Sequence, residues 1–214
     1  MKYSAVIVAA GKGQRTGLAY NKVFYQLNSG KTVLQSAINN FKDDQNCREV
    51  IIVVNPEEYE YCLKQYPDPV LVWVKGGEKR SDSVYNGLLE VKQEKVLIHD
   101  GARPFLPPDC LQRITEALIN YQAVIPVVPV KDTIKIVTNN QVNSTPNREL
   151  LFQVQTPQAF DTKLIINCYK KAQAKGFVSS DDAGLVEEFS NTVVYTVAGD
   201  YRNIKITTKE DLEN

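Results

Sequence analysis

The chain has a single histidine, His99, among its 214 residues. That count alone excludes any centre built from two imidazoles. Charge of one sign is also lacking, since 25 Lys and Arg stand against 25 Asp and Glu for a formal net charge of zero. No global field draws in nucleic acid or an anionic membrane, so neither is expected as a partner, and any anion site has to be local. The four cysteines, Cys47, Cys62, Cys110 and Cys168, form no Cys-x-x-Cys pair. A zinc ribbon and a disulfide framework are both disfavoured, and the spacing reads as separate thiols in a reducing cytosol. Long apolar runs are missing too, for no window approaches the roughly 20 residues of a membrane span. The run Ala5 to Ala10 behind Lys2 imitates a signal peptide, but about six residues fall short of the usual roughly 7 to 15. Gly11-Lys12-Gly13 then follows at once. A buried first strand accounts for the run better, and the expected location is cytoplasmic.

What is present belongs to a folded chain, with 43% hydrophobic and 23% charged residues, and the length suits one domain spanning residues 1–214. Continuous apolar runs recur at Ala5 to Ala9, Val50 to Val54, Val70 to Val74, Val96 to Ile98, Ala123 to Val130 and Thr192 to Val197. Continuous rather than alternating runs suit strands covered on both faces. Between them lie helical stripes: Val33, Leu34, Ala37, Ile38 and Phe41; Val84, Leu88 and Val91 behind a Ser81 or Asp82 cap; Leu111, Ile114, Leu118 and Ile119 within Asp109 to Tyr121; and a fourth helix from about Lys163 to Ala174. Alternating strand and helix predict an α/β fold with a Rossmann-like, doubly wound, mainly parallel sheet. The segment of about 131–155 breaks the rhythm. Its β-rich Thr133 to Val137, the turn-formers Thr138 to Gln141 and the apolar Leu150 to Val154 predict a protruding antiparallel hairpin. A last helix is expected from about Thr208.

Two loops carry the candidate chemistry. The first strand runs into Gly11-Lys12-Gly13-Gln14-Arg15-Thr16-Gly17, with Lys22 beyond. Glycines let backbone amides turn toward a phosphate, and Arg15 and Lys22 bring positive charge to the same place. A purely structural turn stays open as the alternative. It is no Walker loop, lacking Gly-Lys-Ser/Thr at the required spacing, and the ribose acid of a dinucleotide fold is absent. One unit charge pair at 4 Å is worth roughly 4 kcal/mol at an effective dielectric of 20, so a few placed cations can replace the missing global attraction. The second loop, His99-Asp100-Gly101-Ala102-Arg103, leaves a buried strand on the same rim, where ligands of open α/β sheets bind. Asp100 and Arg103 are alternatively a turn cap and a surface ion pair, and His99 reads as a hydrogen-bonded structural residue. Gly76-Gly77 precedes a helix start that either holds a base edge or only caps. Asp181-Asp182 reads as a helix start more readily than as a metal pair.

Six motifs then occur in register: Ala9-Ala10-Gly11-Lys12-Gly13-Gln14-Arg15 with Lys22, Gly76-Gly77-Glu78-Lys79-Arg80, His99-Asp100-Gly101-Ala102-Arg103-Pro104, Pro129-Val130-Lys131-Asp132-Thr133, Gln155-Thr156-Pro157-Gln158 and Asn203-Ile204-Lys205-Ile206-Thr207. Over nearly its whole length the sequence resembles the 2-C-methyl-D-erythritol 4-phosphate cytidylyltransferases of the non-mevalonate isoprenoid pathway. The resemblance implies a nucleotide-diphospho-sugar transferase type of fold whose hairpin is a dimerisation arm. It also implies cytidylyl transfer from CTP with Mg²⁺, the ion held mainly by the CTP phosphates and its protein ligands unknown. Arg15, Lys22 and Lys205 would be catalytic. Ala10, Gly11, Gly13, Arg15, Lys22, Gly77, Ser83, Asp100 and Ala102 would bind CTP. Asp100, Arg103, Thr133, Arg148 and Lys205 would bind the polyol phosphate, with Arg148 crossing from the partner of a homodimer. Asn21 stands before Lys22 where the family often has proline. The alternatives weighed are a ribitol 5-phosphate cytidylyltransferase and a nucleotide-binding protein without catalysis.

Overall fold

A computed structural model describes residues 1–11, 17–18 and 20–212 of the chain. The expected parallel strands form: β1 (Tyr3–Val8), β2 (Cys47–Val54), β3 (Leu71–Lys75), β4 (Lys95–Asp100), β5 (Ala123–Pro129) and, after four further strands introduced below, β10 (Tyr195–Ala198). β1 pairs in parallel with β2 and β4, β2 with β3, and β5 with β10. The chain winds outward from β1 through β2 to β3, then restarts at β4 on the other side of β1. The carboxyl ends of β1 and β4 therefore flank a switch point, which opens a crevice between diverging connections.

Helices cover both faces because their apolar stripes need burial. In α1 (Val33–Lys42) all five stripe residues are buried, and Thr32 caps the helix by accepting from Gln35 N at 3.1 Å. α1 and α4 (Pro108–Ala117) lie over a core shared with Ala5, Ile7, Ile52 and Leu97, while the opposite core joins Val6, Ile51 and Ile98 to α3 (Arg80–Leu89), α5 (Thr162–Lys175) and α6 (Ala183–Phe189). Glu58 precedes a short α2 (Tyr59–Gln65) that buries only Cys62, too little to leave an apolar stripe in the sequence. Ile119 was expected in the α4 stripe but lies beyond the helix end, 64% exposed.

The excursion departs from expectation in its pairing. The hairpin is β6 (Ile136–Thr138) with β7 (Gln141–Ser144), closed by Asn139 and Asn140 at φ 51° and 62°. Two successive positive φ values make the tight turn whose twist suits a hairpin, and asparagine tolerates it. The Leu150 to Val154 stretch, expected as the returning arm of that hairpin, instead supplies β8 (Phe152–Val154), antiparallel to β5 in the main sheet. β9 (Gln158–Asp161) then inserts antiparallel between β4 and β5. Among the described residues, the segment expected to begin the last helix forms a 3-10 turn, Glu210–Leu212. Among the described residues no helix is long and apolar enough to cross a membrane.

Candidate active site

A cleft of about 1020 Å³ opens at the switch point, walled by Ala10 and Gly11 after β1, Gly76 and Gly77 after β3, Asp100 and Ala102 after β4, and by Lys22 and Lys205. Each wall has a local cause. After β3, a Cβ at Gly76 would lie 2.6 Å from that of Ala10, so only glycine lets the two loops meet there. Ser83, on the first turn of α3, accepts from Gly77 N and donates to Lys79 O, both at 3.1 Å. Its hydroxyl thus ties the glycine turn to the helix start. Lys22 opens a short 3-10 turn capped by Asn21, which accepts from Val23 N at 3.3 Å and donates to Ala9 O and Glu58 Oε2 at 3.2 and 3.0 Å. Where proline is common in the resembling family, this chain uses a buried side chain to fasten the Lys22 turn to the end of β1.

Asp100 is the electrostatic centre of the floor. Lys205 Nζ lies 2.8 Å from Oδ2, Arg103 Nε 3.6 Å from Oδ2, and Arg80 Nη2 3.5 Å from Oδ1. Burial alone would raise the carboxyl pKa, but Lys205 first, then Arg80 and Arg103, hold it well below the usual carboxylate range. Asp100 is therefore an anion at any ordinary pH. Lys205 reaches it because Ile206 is fully buried and Ile206 N donates to Ala102 O at 2.9 Å. Arg103 donates from Nη1 to Asn203 O at 2.7 Å, which joins the loop after β4 to the segment carrying Lys205.

His99 is fully buried and structural. Nε2 lies 2.9 Å from Arg103 O and Nδ1 3.1 Å from Thr156 Oγ1, while that hydroxyl oxygen accepts from Asp100 N. A carbonyl can only accept, so Nε2 carries the proton and Thr156 donates to Nδ1. The imidazole locks the Asp100 loop rather than serving as a base. Asp181 caps α6 by accepting from Gly184 N at 3.0 Å. Among the described residues no group of three His, Cys, Asp or Glu could hold a metal ion.

Among the described residues, then, Ala10, Gly11, Lys22, Gly77, Ser83, Asp100, Ala102 and Lys205 share the cleft, with Arg103 half-buried beside Asp100. Gly13 and Arg15 lie outside the described residues. Thr133 and Arg148 are exposed on the excursion and do not line this cleft; Arg148 donates to Lys131 O at 2.9 Å. In the sequence Arg80 stands within a motif and Asn21 as a departure from the family pattern, but neither has a legible role, for an arginine at a helix start and an asparagine before a lysine carry no signal of their partners.

The chain is similar to known proteins along almost its whole length. The model of the family described as "IspD: 2-C-methyl-D-erythritol 4-phosphate cytidylyltransferase" matches residues 3–214. Curated relatives of that name from Geobacillus kaustophilus and Caldanaerobacter subterraneus subsp. tengcongensis are 43% and 44% identical, each over 99% of this chain and over 94% and 96% of their own lengths. The crystal structure of 4-diphosphocytidyl-2C-methyl-D-erythritol synthase from Anaerococcus prevotii superposes with a TM-score of 0.87 at 35% identity, covering 99% of this chain and 95% of that one. On the strength of a match along almost the whole sequence and a shared fold, the chain belongs to the 2-C-methyl-D-erythritol 4-phosphate cytidylyltransferase family.

Proposed function

We propose that the switch-point cleft is where this chain transfers the cytidylyl group from CTP to 2-C-methyl-D-erythritol 4-phosphate. The products are 4-diphosphocytidyl-2-C-methyl-D-erythritol and pyrophosphate, and the reaction belongs to isoprenoid precursor biosynthesis. The observation that carries the reading is Asp100, an anion held by Lys205, Arg80 and Arg103 beside the glycine turns at the carboxyl ends of β1 and β4. The triphosphate lies along Gly11 and Lys22, with Gly13 and Arg15 assigned to the same loop. The cytidine sits between Ala10, Gly77, Ser83 and Ala102, its ribose toward Asp100. The polyol phosphate takes Lys205 and Arg103 through its phosphate, while its hydroxyls donate to the acceptor-only carboxylate of Asp100.

The attacking phosphate is already an anionic nucleophile, so no covalent enzyme intermediate is needed. Catalysis consists of bringing two polyanions into line and stabilising the charge that grows on the α-phosphate, the task of Lys22, Arg15 and Lys205. Mg²⁺ enters as part of the nucleotide substrate, where it offsets phosphate charge. Asp100 is already engaged by three cations and no acidic cluster stands beside it among the described residues, which suits an ion carried on phosphate oxygens.

The protein acts as one domain with an arm of about 131–155, and as a homodimer in the cytoplasm. Ile136, Val137 and Val142 of the β6–β7 ribbon are 51%, 54% and 60% exposed, and Leu150 and Phe152 on the returning segment are also exposed, an apolar surface that a two-stranded ribbon does not bury alone. Pairing across a two-fold axis covers it and carries Thr133 and Arg148 toward the neighbouring cleft. Lys205→Ala tests the site: kcat/KM for the polyol phosphate should fall about a hundredfold, roughly 2.7 kcal/mol. Unchanged kinetics in that variant would remove the assignment.

A further inference from the structure

Arg80 faces two carboxylates. Nη1 and Nη2 donate to Oδ1 and Oδ2 of Asp182 at 2.9 and 3.0 Å, and the same Nη2 lies 3.5 Å from Asp100 Oδ1. Asp182 has no exposed surface and is fixed from several sides. Tyr169 of α5 donates its hydroxyl to Oδ1 at 2.5 Å, and Asp182 N donates to Gln158 Oε1 at 3.1 Å. The carboxylate makes no capping bond to α6, a task Asp181 performs. Its charge is committed to Arg80, with Tyr169 in support.

A buried ion pair is not by itself a stabilising device, since apolar residues of similar size often serve a core as well or better. The forked geometry does achieve something else, which is to fix the rotation of a guanidinium that would otherwise sample many rotamers at the cleft edge. The other two cations near Asp100, Lys205 and Arg103, both approach Oδ2. Arg80 is the cation on Oδ1 among the described residues. Asp100 is thus held from both oxygens, by Lys205 and Arg103 on one and by Arg80 on the other, and loss of Arg80 frees the carboxylate to turn about its Cβ–Cγ bond.

We infer that Asp182 is a positioning residue for the reaction: it clamps Arg80 so that Arg80 holds Oδ1 of Asp100 and fixes the orientation in which that carboxylate, with Lys205 on Oδ2, meets the polyol phosphate. The inference rests on the proposed role of Asp100 as a substrate-binding group. It assigns a part in catalysis to a buried acid outside the cleft, 102 residues from its arginine.

The test is steady-state kinetics with both substrates, alongside thermal melting, on Arg80→Gln, Arg80→Lys, Asp182→Asn, the Arg80→Gln/Asp182→Asn double variant and Asp100→Asn. Arg80→Gln and Asp182→Asn should each lower kcat/KM for methylerythritol phosphate about tenfold while KM for CTP stays within about twofold. The double variant should lose no more than the worse single one, because both changes break one chain of contacts. Arg80→Lys should resemble Arg80→Gln, since an ammonium cannot make the fork. Wild-type kinetics in Asp182→Asn, Arg80→Gln or Arg80→Lys, or losses that multiply in the double variant, would overturn the inference. If Asp182→Asn does not fold, the two Arg80 variants decide alone. Wild-type behaviour in Asp100→Asn would instead remove the substrate-binding role beneath it.

Discussion

Lys22 opens a turn that Asn21 fastens to the end of β1, which places it in the wall of the cleft. Charge placed there matters most where charge grows, in the transition state. Lys22→Ala should therefore lower kcat about a hundredfold, roughly 2.7 kcal/mol, with little change in KM for CTP. Arg15, outside the described residues, carries the same expectation. A variant that only raised KM would reassign the residue to plain binding. His99 makes a different prediction. Burial lowers its pKa from an ordinary 6.5 to about 4. The unfolded chain gains a proton below about 6.5 that the folded chain refuses until about 4, so the stability is full above that window and is lost as pH falls through it, by about 3 kcal/mol. Melting temperature followed against pH should flatten across this window in His99→Gln. An unaltered slope would mean that another group titrates there, one other than Asp100, whose cations keep it ionised to lower pH.

At the scale of elements, α3 matters most because its first turn holds Arg80 and Ser83 at the cleft. The helix lies close to the sheet through Gly87, where a Cβ would stand 2.7 Å from Val6 Cγ1 and 2.8 Å from Val53 Cγ2. Alanine favours a helix over glycine by about 1 kcal/mol, but overpacking a tight core costs about 1–3 kcal/mol. Gly87→Ala should thus destabilise on balance, and chemical denaturation that showed a gain would mean the contact has room to relax. The elements that could be read from sequence are those whose burial leaves a period or a run. α1 is the clearest, its buried Val33, Leu34, Ala37, Ile38 and Phe41 spelling out one helical face. α2, with Cys62 alone buried, left none. β9 offers four residues whose antiparallel slot depends on pairing with Lys95 to Ile98, a tertiary fact without a local signature. The site shows the same division. Glycine turns, Asp100 and Lys205 stand in compact motifs, whereas the Arg80 and Asp182 pair joins α3 to α6 through space.

At the scale of the whole molecule, the exposed Arg148, which does not line the cleft of its own chain, becomes a prediction about assembly. Lys22→Ala and Arg148→Ala subunits are each expected to be nearly inactive. For the proposed homodimer, a random 1:1 mixture holds about half mixed dimers, and each has one site with intact Lys22 served by intact Arg148 from the other chain. Activity should recover to about a quarter of wild type once subunits exchange. If Arg148 serves its own cleft, the mixture stays as inactive as its parents. The central claim is the reaction itself, and phosphorus NMR of the purified protein with CTP, Mg²⁺ and one polyol phosphate at a time addresses it most directly. Methylerythritol phosphate should give a new diphosphate diester and pyrophosphate in equal amounts, with ribitol 5-phosphate and with UTP turning over far more slowly. No pyrophosphate from CTP and methylerythritol phosphate, or equal turnover of ribitol 5-phosphate, would contradict the account.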